Sequence, residues 1–234
     1  MQIHLDFKTD MLNVPLAYNA MLHGMIFSVL ASADADYATF LHDRGQEENL
    51  NRYKLFTFGR LSGEYRINGK EIIFPRRVSL EIRSADERFI QNFLYGCRKS
   101  ERYKIGTNTV MLENCRLTDK IIDKECVRVR TLSPFFYKAE YPENKVFDAE
   151  AAHYKLIDNA RKKWIYSGRD ENDFQLELEF RNEPKRVLTQ FKNIYITSWD
   201  SELELTGNIS TLNFIYNAGI GGKNSQGFGM FETI

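Results

Sequence analysis

The 234-residue chain predicts an α+β fold, with two tandem ferredoxin-like (RRM-like) β-α-β-β-α-β units and a C-terminal glycine-rich loop. Two features of the pattern point there. Each half opens on an alternating apolar segment, passes into a stretch with apolar residues three and four apart, and returns as alternating segments. Five glycines then crowd positions 219 to 229, just before a last short apolar run.

In the first half, residues 2–8 alternate as a strand. Leu22, Met25, Ile26, Val29 and Leu30 recur at helical spacing and predict a helix from Asn19 to Ala31. Strands are expected at Tyr53–Leu61, Glu64–Ile67 and Glu71–Phe74. Ser84 or Asp86 would cap a helix from about Ala85 to Arg98, burying Phe89, Ile90, Phe93 and Leu94. Tyr103–Leu117 returns as strands.

The second half repeats the plan. Cys126–Leu132 alternates, and Asp148 would cap a helix from Ala149 to about Tyr166. Phe174, Leu176, Leu178 and Phe180 alternate strictly with polar residues. Val187–Ile196 and Glu202–Thr206 read as strands. Asn208 or Ser210 would open a short helix through Ile215, and Phe228–Ile234 would be the final strand. The polar join at Thr118–Lys124 divides the chain into domains at 1–122 and 123–234.

Composition narrows the class. Hydrophobic residues make up 43% and charged residues 27%, as in an ordinary globular protein. No apolar run reaches the length of a membrane span, and the N-terminus reads as a strand rather than a signal peptide. Cys97, Cys115 and Cys126 form no CxxC pair and fit a reducing cytoplasm. The four histidines are scattered, so neither a metal nor another cofactor is expected. Zero net charge argues against a general nucleic-acid binder. Basic residues nonetheless cluster at Arg98–Lys104, Arg161–Lys163 and Lys185–Lys192. Each run reads first as a solvated face, or else as part of one converging groove.

The loop comprises Gly219, Gly221, Gly222, Lys223, Asn224, Ser225, Gln226, Gly227 and Gly229, with Ile220 and Phe228 between. Glycine takes positive φ and admits another backbone closely. A row of exposed N–H groups in that conformation attracts anions, and Lys223 adds charge. The spacing matches neither a Walker loop nor a dinucleotide fingerprint. Two readings follow: a cradle for a phosphate backbone, or a hairpin that closes a sheet.

His42 lies beyond the first helix, in a polar stretch expected to be a loop, and Lys54 begins the next strand. Together they offer an acid–base group and a cation.

These segments, taken in order, resemble the CRISPR repeat-processing endoribonucleases of the RAMP superfamily. The matching stretches are Val14–Asn19 with the helix to Leu30, Leu41–Asp43, Lys54–Phe58 and the glycine loop through Met230. Thr131–Pro134 also has the family's look. The resemblance implies binding of precursor CRISPR RNA and a metal-independent cut within each repeat. The ribose 2′-hydroxyl attacks the adjacent phosphate, leaving a 5′-hydroxyl and a 2′,3′-cyclic phosphate. It makes His42 the catalytic histidine, Lys54 the catalytic lysine and the glycine loop an RNA-binding element. Other CRISPR effector subunits and a second copy of the chain are further implied partners. Relatives carry a tyrosine where this chain has Phe27, which moves no proton. His23, one turn earlier, is the candidate replacement, and Tyr37 and Tyr53 are weaker ones. A repeat-RNA-binding relative that does not cut, and a small-molecule enzyme holding a nucleotide phosphate, stay open at this point.

Overall fold

Alternating side chains build the first sheet of the computed structural model, which describes residues 1–43, 53–139 and 146–234. Ile3, Leu5 and Phe7 of β1 (Gln2–Lys8) are buried on one face. β2 (Leu12–Pro15) leads to α1 (Asn19–Ala33) and α2 (Ala35–Asp43). Then come β3 (Phe56–Phe58), β4 (Arg66–Asn68), β5 (Glu71–Phe74) and β6 (Arg77–Ser84). α3 (Glu87–Cys97), β7 (Arg102–Ile105) and β8 (Asn108–Thr118) complete this half. The sheet order is β3-β6-β1-β8-β7. Without β7 this is the ferredoxin-like arrangement, and α1 packs on α3.

Three expectations change here. β6, absent from the expected elements, is the sheet's third chain-order strand; Val78, Leu80 and Ile82 are its buried side. β5, expected as a strand, joins a separate sheet ordered β2-β5-β4. The strand expected over Tyr53–Leu61 shrinks to three residues, beyond which Leu61 donates its N–H to the Tyr18 hydroxyl.

The second half contains β9 (Cys126–Thr131), α4 (Ala149–Tyr166), β10 (Leu176–Phe180), β11 (Lys185–Phe191) and β12 (Ile194–Asp200). β13 (Glu202–Gly207), α5 (Ile209–Ala218) and β14 (Phe231–Thr233) follow. Its sheet order, β10-β13-β9-β14, repeats the ferredoxin-like plan. The segment expected as one strand over Val187–Ile196 is the β11–β12 hairpin. Lys192, at φ 54, turns the chain between its strands. The last strand starts at Phe231 rather than Phe228 because residues 228–230 belong to the loop.

The caps follow polar side chains at the helix starts. Asp86 accepts from Arg88 N, Asp148 from Ala151 N and Asn208 from Thr211 N, at 2.9, 2.9 and 2.8 Å. Such a cap is worth about 1 kcal/mol.

The halves are locked together. Leu55 and Ala85 of the first half pack against the second core, which also holds Ile122. Phe191 and Ile196 of the hairpin pack with Phe228, against Ala20 of α1. Arg83, 2% exposed, donates to Phe231 O at 2.6 Å and pairs with Glu81 at 2.6 Å. Its guanidinium lies 3.9 Å from the Tyr216 ring centre. Charge-assisted bonds and the stacked ring compensate this buried cation.

Candidate functional site

Asn19, His23 and Phe27 recur every four residues along α1 and so share one face. That stripe organises the site. Asn19 Nδ2 donates to Gln226 O at 3.0 Å and to Gly227 O at 3.3 Å, tying the glycine loop to the start of α1. One turn on, the His23 ring lies 4.5 Å from Phe27, centre to centre. Phe191, at the end of β11, meets His23 edge-on at 5.7 Å.

Phe27 is the hub. His42 meets its ring edge-on at 5.7 Å. Lys54 Nζ sits 5.1 Å from its centre, and donates to His42 O at 3.5 Å. The structure therefore gathers His23, His42 and Lys54 around one aromatic ring. His42 is not in a loop, as the sequence suggests, but in the last turn of α2, with its side chain exposed. The helix was missed because Ala35–Asp43 lacks a long apolar repeat; Tyr37, Ala38 and Leu41 form its buried stripe. The neighbouring Arg44 and Gly45 lie outside the described residues.

His23 is half-buried, and its pKa falls to about 4. Loss of solvent is the main cause, followed by the positive fields of Lys54, His42 and Lys192. Its imidazole is therefore neutral at pH 7. The weaker candidates lie in other settings. Tyr37 is buried and donates its hydroxyl to Asp86 at 2.8 Å; burial first, and then the Asp86 carboxylate, raise its pKa. Tyr53 packs edge-on against Tyr166 at 5.8 Å. Sequence reading missed Phe191, and placed Lys192 only in a basic run without linking it to the histidines. The turn dipeptide Lys192-Asn193 between two β-rich runs was the available signal.

The loop differs from an open row of N–H groups. Gly219, Ile220, Gly221, Asn224, Gly227, Phe228, Gly229 and Met230 are buried. Several donors point inward: Gly222 N to Phe136 O, Ile220 N to Gly229 O and Gly229 N to Pro134 O, at 2.8, 2.9 and 2.9 Å. Thr57 Oγ1 donates to Phe228 O at 3.0 Å. Gly222, Lys223, Ser225 and Gln226 keep partial exposure. Lys223 lies 5.1 Å from the Phe136 ring centre, and burial lowers its pKa. The glycines are needed. At Gly229 (φ +72) a Cβ would fall 1.9 Å from Ile220 O; at Gly227 (φ +85), 2.6 Å from the Phe58 ring.

Beside Gly227 runs a groove of about 470 Å³, with Tyr18, Arg60, Leu188 and Tyr195 among its walls. The hairpin's basic run reaches His23 through the positive field of Lys192. Lys163 is not on a solvated face but fully buried. Among the described residues no three His, Cys, Asp or Glu side chains gather as a metal site.

Two ferredoxin-like units, with two histidines and a lysine beside a glycine-rich loop, have the architecture of a RAMP-type protein. Residues 117–233 match the family model described as CRISPR associated protein Cas6, C-terminal. A CRISPR-associated endoribonuclease Cas6 of Methanocaldococcus jannaschii is 30% identical, over 100% of this chain and 93% of its own. That of Pyrococcus furiosus is 24% identical, over 97% and 86%. A solved CRISPR associated protein Cas6 superposes with TM-score 0.76 at 25% identity, over 100% of this chain and 99% of its own. A RAMP protein described as binding different RNA substrates gives 0.78 at 21% identity, covering 100% and 99%, and supports the fold. The chain belongs to the Cas6 family of CRISPR-associated endoribonucleases.

Proposed function

We propose that the chain is a metal-independent endoribonuclease that cuts precursor CRISPR RNA within its repeats. The convergence of His23, His42 and Lys54 on the Phe27 ring carries this reading. The ribose 2′-oxygen attacks the adjacent phosphorus, the P–O5′ bond breaks, and the products are a 2′,3′-cyclic phosphate and a 5′-hydroxyl. Such a reaction needs a group to take the 2′-proton, one to protonate O5′, and a cation for the phosphorane. His42, solvent-facing on a helix end, is the main acid–base group. Lys54, beside it, is the cation. His23, neutral above about pH 4, can receive a proton but carries no imidazolium proton to give as an acid at pH 7. It acts as a weak base or hydrogen-bond acceptor, and stands where relatives use a tyrosine one turn away.

The loop holds the RNA without taking part in bond breaking, through Gly222, Lys223, Ser225 and Gln226. The groove beside Gly227 is the path for the strand. This reading divides the chain into a cutting half, 1–122, and an RNA-holding half, 123–234. Other effector subunits and a second copy of the chain are proposed as further partners. None of the described helices is long and apolar enough to cross a membrane; a cytoplasmic location is part of the same proposal.

A second reading rests on Phe27: a family member that binds repeat RNA and leaves it intact. One assay separates the two. Labelled repeat RNA is incubated with the protein in EDTA, with and without a 2′-deoxy substitution at the scissile nucleotide. Cleavage should persist in EDTA and stop with the deoxy substrate. Activity lost in EDTA and restored by magnesium would refute the metal-free mechanism, and intact RNA in every lane would favour the binding-only reading.

A further inference from the structure

α4 carries Ala152, Leu156, Ala160, Lys163 and Trp164 on its buried stripe, so a lysine occupies a core position. Lys163 is 2% exposed. Its Nζ donates to Gly219 O at 2.8 Å, Gly221 O at 2.7 Å and Asn224 Oδ1 at 2.6 Å. An ammonium has three protons, and here three oxygens receive them. Among the described residues it has no carboxylate partner. Its helix neighbours turn elsewhere, Arg161 over the Phe174 ring and Lys162 to Asp158. From the loop, Lys223 lies over Phe136.

Among the described residues no other donor reaches these three oxygens. Turns at Gly219 (φ +80) and Gly221 (φ +68) aim their carbonyls inward, where unpaired oxygens are costly. The chain of bonds then continues. Asn224, oriented by Lys163, donates Nδ2 to Ile220 O at 3.1 Å and to Phe228 O at 3.0 Å, bracing the loop across its width. Phe228 O also accepts from Thr57 of β3, and the next turn of the loop is held by Asn19. Asn19 is one helical turn from His23 and two from Phe27.

We propose that Lys163 is a positioning residue for RNA: its ammonium sets the loop's shape, and through Asn224, Thr57 and Asn19 sets the loop's place relative to the His23–Phe27–His42 site. The proposal rests on the reading of the loop as RNA-holding. It has a consequence in pH. Burial alone pulls the Lys163 ammonium down to about 7. The neutral amine offers two protons to three acceptors, so one oxygen loses its donor and the loop loosens. Stability moves the other way. A lysine whose folded value lies below its unfolded one binds fewer protons when folded, so global stability rises with pH from about 7 to the unfolded value. Above neutrality, RNA affinity falls while the fold becomes more stable.

The test uses the full chain carrying His42→Ala and a 2′-deoxy substitution at the scissile nucleotide of the RNA, which together prevent cutting, with and without Lys163→Met. Affinity for labelled repeat RNA and amide protection over residues 219–229 in the free protein are measured at pH 6 and pH 9. In the parent, Kd should rise at least tenfold at pH 9 and loop protection should fall, with thermal stability undiminished. Lys163→Met should bind at least tenfold more weakly at pH 6, with the pH dependence gone. Affinity and protection equal to the parent at both pH values would show that Lys163 only fills space. Lost protection with unchanged affinity would overturn the link to RNA, and would place the failure in the RNA-holding reading of the loop. If Lys163→Met does not fold, the parent alone decides, since affinity and protection unchanged between pH 6 and pH 9 overturn the proposal.

Discussion

Around Phe27 the candidate groups are side chains gathered on one ring, whereas from Gly219 to Met230 the chain is held largely through its own backbone carbonyls and amides. His42 is exposed at a helix end, and Lys54 lies over a ring and beside a carbonyl. The loop instead is fixed by Lys163, Asn224, Asn19 and Thr57. The difference fits the two proposed tasks. Proton transfer needs access and a pKa near the working pH, and tolerates adjustment when substrate arrives. Holding a phosphate backbone with few charges needs a surface shaped beforehand, so that little ordering cost falls on binding. Asn19 is where the two regions meet.

That contrast is broken most directly in the loop. Gly229→Ala places a Cβ on Ile220 O, and Gly227→Val places one in the Phe58 ring. Each should cost roughly 2–4 kcal/mol, as a core clash at positive φ does, and repeat-RNA affinity should fall with it. Gly222 behaves differently: its φ is not positive, and the nearest atom to its Cβ would be in the Phe136 ring, at 3.2 Å. Gly222→Ala should therefore leave thermal stability nearly unchanged. Equal melting temperatures for all three variants would show that the loop is not a preset surface.

Smaller effects sharpen the account of the site. His23→Ala should slow single-turnover cleavage about tenfold, below the 10²–10⁴ of a full acid–base group, because a base of pKa about 4 is weak. Lys223→Ala should weaken binding modestly and make the slope of log K against log salt shallower by about 0.7, the value for one neutralised phosphate on a single strand. An unaltered slope would remove Lys223 from the contact. Least of all, Phe27→Tyr should leave the rate unchanged or raise it by a few fold. A fall would mean that the bare ring is needed to seat His42 and Lys54.

The fold was legible where the pattern is local. Helix caps at Asp86, Asp148 and Asn208, and strict alternation such as Leu176–Phe180, give elements without tertiary help. β6 alternates as clearly at Val78, Leu80 and Ile82, but follows Pro75 and two arginines that read as a turn. α2 is short and weakly patterned, so His42 looked like a loop residue. The histidine–lysine pair was suggested by residue type and by family likeness, while its gathering around Phe27 depends on a fold-level contact between two helices and the segment just before β3. Lys163 was unreadable as a core residue. A lysine between Lys162 and Trp164 looks like part of a charged face, and only three carbonyl-type oxygens from a loop 56 to 61 residues further along explain its burial.

The central claim is that the side chains around Phe27 cut and the loop holds. It is tested by measuring both quantities in one variant, His42→Ala, with labelled repeat RNA. The account predicts a single-turnover rate lower by about 10²–10⁴-fold with Kd essentially unchanged. A rate within threefold of wild type, or a loss expressed wholly in Kd, would contradict it.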